Sequence, residues 1–173
     1  MSSKALFASP AEVKKKSIID GNVDDDKITQ FIEVAQDTHV HNYLGTNLYE
    51  HLQGLITGGT LDDVGNAAYK TLLVSYVKPM LIWWAQVSYL PMAMFQVQNG
   101  GVYKHNSENG TSVTLEEMRS IQSEVKNYAT HYTDRFIEYV CANESSFPEY
   151  NQTSSNSDYY PDGDVSYQGG WVI

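Results

Sequence analysis

Three side chains that can bind a metal or transfer a proton, Asp37, His41 and His51, lie in the first third of the sequence. Asp37 and His41 are four residues apart, which places both on one face of a helix. Histidine nitrogens and carboxylate oxygens are common zinc ligands, so these residues are candidates for a metal site. His39, however, is only two residues from His41, and this spacing directs their rings to different faces of a helix. The stretch supplies too few convergent ligands, and we expect no metal site.

Other catalytic chemistry has little support in the sequence. There is no glycine-rich phosphate loop, nucleophile elbow or HExxH motif. The single cysteine, Cys141, follows an apolar helical run and is predicted to be a packing residue without an activating neighbour. Trp83 and Trp84 could line a ligand pocket, but adjacent aromatic residues on an apolar helix more often belong to a core. We therefore predict no catalytic residue, no cofactor and no metal.

The composition limits the class of partner. The chain has 173 residues, enough for one domain with a sizeable core. It carries 11 basic and 21 acidic residues, a net charge of -10. This balance argues against a protein that grips nucleic acid through its phosphates. An acidic surface can still surround DNA without holding it.

The elements that position these residues are organised around one long apolar stretch, Tyr69 to Gln96. Its large apolar residues recur at steps of one, three or four, which predicts a helix. Pro79 and Pro91 predict kinks, or a break into two helices. The segment from Pro79 to Tyr103 has no charged residue, but glutamine and serine interrupt it before the roughly 20 apolar residues that span a bilayer. We predict a buried core helix and no membrane insertion.

Capping signals define the first helices. Residues 1 to 8 are predicted to form an edge strand or an arm. Ser9, Pro10 and Glu12 predict a helix that continues to about Ile19. The three aspartates at 24 to 26 predict the start of a second helix, where the helix dipole favours negative charge.

The second helix is predicted to end near Leu44, with Gly45 in a left-handed cap. Thr46 is then predicted to cap a third helix that runs through Leu55 and stops at Gly58 and Gly59. His39 lies on the apolar face of the second helix and is expected to be a core histidine.

After the apolar stretch, residues 97 to 103 predict a β-hairpin or an extended loop, and residues 104 to 112 a polar loop. Thr114 and Glu117 form a capping box for a last amphipathic helix that ends near Val140. The predicted fold is all-α: a helical bundle around a long central helix, with a short hairpin or loop and an extended tail.

The composition changes at Glu144, so we divide the chain into a helical domain of residues 1–143 and a tail of residues 144–173. The tail has five acidic residues and no lysine or arginine, yet it is rich in aromatic residues. Aromatic residues spaced along a polar chain predict a tail that becomes ordered when it docks on a partner. The alternative is a tail that packs back on its own domain. Its aromatic residues are Phe147, Tyr150, Tyr159, Tyr160, Tyr167 and Trp171.

The order of these elements resembles the head–tail connector (adaptor, or head-completion) proteins of tailed bacteriophages. The resemblance covers roughly residues 7 to 150, and the chain departs from the compact connectors in its long acidic tail. The matching pieces are the helix DDDKITQFIEVAQDTHVHNYLG, the segment NLYEHL, the apolar helix, the loop GGVYKHNSENG, the exit ANESSFPEY and the chain end GGWVI.

The resemblance implies a structural virion protein without enzymatic activity. It implies a homo-oligomeric ring of twelve copies in the neck, seated beneath the portal protein and continuing the DNA channel towards the tail. The acidic charge would then keep DNA from being trapped in transit. We expect contacts with adjacent subunits or rings, including further neck or tail proteins, through Gly101, Val102, Tyr103 and the tail aromatic residues. On this hypothesis, deletion of residues 147–173 weakens attachment and leaves the fold intact.

Two alternatives belong to other classes. One is a monomeric helical module for ligand binding or interaction, with a pocket at Trp83 and Trp84. The other is an enzyme that uses Asp37, His41 or His51.

Overall fold

The chain folds as an all-α protein, which confirms the predicted class. A computed structural model describes residues 4–19, 21–93, 95–98, 101–104, 113–150, 159 and 161. The helices are α1 (Pro10–Lys16), α2 (Asp25–Ala35), α3 (His41–Thr57), α4 (Ala67–Leu72), α5 (Lys78–Ala93) and α6 (Leu115–Ala142). A small antiparallel hairpin joins α5 to α6 through strands β1 (Phe95–Gln98) and β2 (Gly101–Lys104). Short 3₁₀ turns occupy Val64–Asn66, Glu144–Ser146 and Pro148–Tyr150.

The predicted caps are present. The Ser9 backbone N–H donates to Glu12 Oε2 at 2.9 Å, and the Glu12 N–H donates back to the Ser9 hydroxyl. Thr114 and Glu117 form the same reciprocal pair at the start of α6. Each pair satisfies N–H groups that a helix start would otherwise leave without partners. The first helix ends at Lys16, earlier than the predicted Ile19.

The apolar stretch is helical, but it is not one regular helix. α4 leads into α5 through a wide π turn at Leu73–Val77, directly before Pro79. A proline clashes with the carbonyl group four residues before it, here that of Ser75, and a widened turn at this point relieves the clash. Pro91 lies inside α5 close to its end, and the helix stops at Ala93 rather than at the predicted Gln96.

The core lies between α5 and the helices that pack on it, chiefly α6 and α2. Trp84 of α5 is 6% exposed, and its indole N–H donates to Thr133 Oγ1 on α6 at 3.0 Å. Burial of each large apolar side chain contributes about 1.5–3 kcal/mol relative to leaving it in water. Large side chains that are fully buried include Phe7, Ile28, Ile32, Leu44, Leu48, Leu52, Leu72, Met80, Leu81, Ile82 and Phe136.

The N-terminal arm is held by side-chain amides and forms no strand over residues 4–9. Gln36 is buried, and its Oε1 accepts the Phe7 backbone N–H at 2.8 Å while its Nε2 donates to Ala5 O. The Gln53 side chain accepts the Ala5 N–H at 2.7 Å, and its Nε2 also donates to the Ala5 carbonyl oxygen. Of the two predicted forms, edge strand or arm, the described residues form an arm.

No helix among the described residues is long and apolar enough to cross a membrane. Gln86, one of the polar residues that interrupt the apolar stretch, is fully buried on α5. Its amide accepts the Ile18 N–H at 3.2 Å and donates to Ile82 O.

His39 packs against the core but is half-buried, so it is less buried than the predicted core histidine. It lies in a second π turn, Gln36–Val40, and its ring stacks on Trp84 with centroids 3.9 Å apart and planes 12° apart. Burial, and secondarily the positive charge of Lys126, lowers the pKa of His39. The folded protein therefore favours the neutral imidazole.

This environment predicts a pH dependence of stability. The unfolded chain takes up the His39 proton near pH 6.5, and the folded chain does so only at lower pH. The contribution of neutral His39 to the free energy of unfolding is thus fully present above about pH 7 and is lost as the pH falls through 6.5. When the pH is lowered from 7 to 5, the free energy of unfolding measured in urea should fall less in His39→Gln than in the wild type.

The matched control is His131→Gln, because His131 is an exposed histidine on α6. This variant should retain the wild-type difference between pH 7 and pH 5. An equal pH dependence in the wild type and in His39→Gln would contradict the assignment.

Candidate interaction surfaces

The first part of the predicted tail belongs to the core. Phe147 is fully buried and Tyr150 is 4% exposed. The Phe147 ring packs against Tyr69 and Tyr139, and the Tyr150 ring packs edge-on against Phe136. These two residues are therefore not surface contacts for a neighbouring ring, which corrects that expectation. The helical unit extends to Tyr150, past the predicted boundary at residue 143.

We call residues 144–150, which follow α6, the exit segment. Glu149 holds this segment between two helices. Its Oε2 accepts a hydrogen bond from the Tyr69 hydroxyl, with the two oxygens 2.7 Å apart, and its Oε1 lies 3.6 Å from His51 Nδ1. Burial and the neighbouring carboxylate raise the pKa of Tyr69, so the phenol stays a hydrogen-bond donor. The His51 and Tyr69 rings are in contact, with centroids 4.5 Å apart. The arrangement attaches the exit segment to α3 and α4.

A second attachment point lies at a backbone break within α3. Gly45 has φ 71° and ψ 159°, a conformation essentially restricted to glycine. A Cβ at this position would lie 2.7 Å from the ring of Pro161, so Pro161 packs directly on the glycine. Both residues are buried. We call the surface formed by His41, Gly45 and Thr46 the Gly45 notch.

Tyr159 binds the same notch through its backbone. The Thr46 N–H donates to Tyr159 O at 3.0 Å, and the Tyr159 N–H donates to the Thr46 hydroxyl at 3.0 Å. The Tyr159 ring meets His41 edge-on at 4.9 Å and remains 46% exposed. Thr46 was predicted to cap a helix, but its hydroxyl accepts the Tyr159 N–H of the tail instead. Tyr159 and Pro161 define the docking segment, and at these two described positions the tail packs on its own domain.

A row of aromatic side chains lies along the junction of α5 and α6. Trp83 contacts Tyr128 with centroids 4.8 Å apart and is roughly parallel to Tyr132 at 6.3 Å. Arg135 lies over the rings of Tyr132 and Tyr76, 5.9 and 5.8 Å from their centroids. All of these side chains are at least partly exposed. The aromatic row is Tyr76, Trp83, Tyr128, Tyr132, Arg135 and Tyr139.

The remaining predicted contact residues are divided between described and undescribed parts of the chain. Gly101, Val102 and Tyr103 form β2, where Val102 pairs with Val97 and Tyr103 with Gln96. This is the hairpin form of the two predicted alternatives. Tyr160, Tyr167, Trp171 and most of the 104–112 loop lie outside the described residues.

The candidate metal-binding and catalytic residues do not converge. Asp37 pairs with Lys4, His41 lies in the Gly45 notch, and His51 pairs with Glu149. Within the described ranges, no group of three or more histidine, cysteine or acidic residues could hold a metal ion. Cys141 is exposed near the end of α6, which corrects its prediction as a packing residue.

Sequence reasoning missed the notch and the aromatic row for different reasons. Gly45 was recognisable as a helix break, but nothing in its neighbourhood indicates that Pro161 covers it. Tyr128, Tyr132 and Tyr139 recur at helical spacing and belong to the predicted packing face of α6, whereas nothing in the sequence indicates that Arg135 lies over their rings. Which part of that face α5 leaves uncovered depends on the packing of the two helices.

The fold and these surfaces define an all-α protein with a hairpin, a core-bound exit segment and a docked tail. The family model described as "Family of unknown function (DUF6712)" matches residues 40–160, and the chain belongs to this family. The matched region contains both Thr46 and Tyr159. No curated protein and no solved structure matches the chain.

The burial of Phe147 predicts where the chain can be shortened. A chain ending at residue 146 loses this side chain, and emptying a phenylalanine site in a core costs about 3–5 kcal/mol. We expect the 1–146 chain to be at least about 3 kcal/mol less stable in urea unfolding than the 1–150 chain. Equal stability of the two chains would show that the exit segment is not part of the core.

The Gly45 notch predicts opposite effects at two glycines of α3. Gly45→Ala introduces a side chain into a glycine-only conformation and against Pro161, at a cost of at least about 2 kcal/mol. Gly54→Ala is the matched control, since a Cβ there has nothing within 4 Å and alanine favours a helix by up to about 1 kcal/mol. Thermal and urea unfolding of both variants measure the difference. A tolerated Gly45→Ala would contradict the notch.

Proposed function

We propose that this protein is a structural subunit of a homo-oligomeric ring in the neck of a tailed bacteriophage virion, between portal and tail. The ring, of twelve copies by the family resemblance, continues the DNA channel without binding DNA specifically. The observation that carries the proposal is the aromatic row, because it gives the subunit a surface suited to contact with another copy.

The composition of the aromatic row is that of a protein–protein contact. Tryptophan, tyrosine and arginine are the residue types that contribute most to binding at interfaces. Tyr128 is 45% exposed, and Ile121, about two turns earlier on α6, is 42% exposed. The Arg135 guanidinium over two tyrosine rings is held in place before any partner arrives. Such pre-organisation reduces the entropy lost on association.

A closed ring requires two different surfaces on each subunit, because each copy contacts its two neighbours through unlike patches. The aromatic row supplies one surface. α2, which also packs on α5, exposes Val34 and supplies apolar area for the second. Side-by-side packing of rigid helices would then set the height and curvature of the ring.

The charge of the chain suits a channel through which DNA passes. A net charge of -10 repels phosphate groups, so the duplex is not retained by the protein. The hairpin and its loop, together with the tail beyond the docking segment, supply the parts that would reach neighbouring rings.

The contacts in the structure give less support to the two alternative functions. Trp84 is in the core and donates to Thr133, while Trp83 belongs to the aromatic row, so the two indoles do not share one environment. Asp37, His41 and His51 each contact different partners and do not form one catalytic group.

The aromatic row makes assembly sensitive to one substitution. Tyr128→Glu places a charge at an exposed position of the row and should weaken self-assembly at least tenfold, which is about 1.4 kcal/mol. Sedimentation and light scattering, with the protein alone and with the portal protein of the same phage, measure the mass. The unfolding midpoint should change little, because the side chain is half exposed.

Asn127→Glu is the matched control, since it adds the same charge at an exposed position on another side of α6. It should assemble as the wild type does. A wild-type chain that stays monomeric both alone and with portal would overturn the proposed function.

A further inference from the structure

Exposed acidic side chains of α6 lie beside the aromatic row. Glu124 is one helical turn before Tyr128 of the row, and Glu138 is fourteen residues after Glu124, on nearly the same side of the helix. Both are exposed, and no ion pair among the described residues includes either of them. The basic residues Arg119 and Lys126 are turned away from Glu124 by about 140–160° around the helix. Negative charge therefore borders the row, and we call Glu124 and Glu138 its acidic border.

The acidic border limits which surface can bind the row. If two copies paired through the same face of α6, Glu124 of one chain would lie near Glu124 or Glu138 of the other. Like charges placed opposite each other oppose association. Arg135, the cation of the row, already lies over the rings of Tyr76 and Tyr132. The row is thus suited to a partner that exposes positive charge beside an apolar side chain.

Such a surface is present at the end of α1. The last three residues of this helix are lysines, and Lys14 is paired with Asp25. Lys15 and Lys16 are exposed and belong to no ion pair in the part of the chain that the structure describes. Ile18, two residues after the helix ends, is 58% exposed. We call Lys15, Lys16 and Ile18 the basic edge.

The basic edge and the acidic border belong to different helices of the subunit. α1 packs on α2 and α5, so the basic edge adjoins the α2 surface, whereas α6 packs on α5. The free lysines are therefore available to another chain. Two unlike and complementary patches are what a closed ring of identical subunits requires.

We propose that the basic edge of each subunit binds the acidic border of the aromatic row on the next subunit. This inference rests on the proposed ring and names the partner of the row: the end of α1, with Ile18, of a second copy of this chain. Ile18 would cover Tyr128, and the lysines would face Glu124. Burial of apolar surface supplies the binding free energy, and the charges select which faces meet.

Charge reversal in the full-length chain tests this pairing. The variants are Glu124→Lys, the basic-edge variant Lys15→Glu with Lys16→Glu, and a combined variant with all three substitutions. Sedimentation at low salt, with the portal protein of the same phage where a template is needed, measures assembly. Glu124→Lys and the basic-edge variant should each assemble at least tenfold more weakly than the wild type, because each places like charges opposite each other. The combined variant should assemble at least tenfold more tightly than the basic-edge variant, since opposite charges then face each other again.

Matched controls separate this pairing from an effect of net charge. Glu50→Lys, at an exposed position on α3, changes the net charge as Glu124→Lys does. It should neither weaken assembly alone nor rescue the basic-edge variant. Arg119→Glu with Lys126→Glu changes the net charge as the basic-edge variant does, and it should assemble at least tenfold more tightly than that variant. All differences should shrink in about 1 M salt, where the screening length is about 3 Å.

The possible failures are distinct. A ring that forms while Glu124→Lys and the basic-edge variant assemble as their controls do overturns the pairing and leaves the proposed ring standing. A combined variant that assembles no more tightly than the basic-edge variant also overturns the pairing. Stronger assembly of Glu124→Lys alone overturns it in favour of contact between two α6 helices. A wild-type chain that forms no ring, with or without portal, overturns both the pairing and the proposed function.

Discussion

The backbone of Gly45 is the constraint on which the arrangement of the first half of the chain depends. The helical path through α2 and the π turn Gln36–Val40 packs on α5. A regular helix would continue in the same direction, but φ 71° and ψ 159° at Gly45 redirect it. The redirected part of α3 then contacts the N-terminal arm through Gln53 and the exit segment through His51. One residue without a side chain thus determines where both ends of the chain can attach.

Segments without regular structure are held by side chains that replace strand partners. Buried backbone groups need hydrogen-bond partners, and a chain outside helices and sheets must find them elsewhere. Gln36 and Gln53 bind the arm, Gln86 binds the Ile18 N–H, and Thr46 binds Tyr159. Each of these polar residues lies on a helix near apolar neighbours, where polarity alone gives no indication of the backbone group it serves. Their placement explains how an all-α fold holds residues without regular structure before α1 and after α6.

Local signals made much of the fold predictable. Capping boxes depend on residues three apart, and the break at Gly45 depends on one residue, so the sequence identifies both directly. The conformation at Gly45 differs from the predicted left-handed cap, because its φ is positive but its ψ is 159°. The burial of Phe147 and Tyr150 depends on space left by Tyr69, Tyr139 and Phe136, residues distant in the chain. In a segment rich in serine and asparagine, composition indicates a free tail and cannot show a complementary cavity. The notch escaped prediction for the same reason, since Pro161 lies far from Gly45 in sequence.

Charge limits the ways in which copies of this chain can associate. With a net charge of -10, identical subunits repel one another at low salt, and the repulsion is screened over about 8–10 Å at physiological ionic strength. Several basic groups are already engaged within the chain: Lys4 with Asp37, Lys14 with Asp25, and Lys78 with Glu12. Ion pairs between subunits are thus a poor source of binding energy. Aromatic contacts depend little on net charge, and the aromatic row provides contacts of this kind.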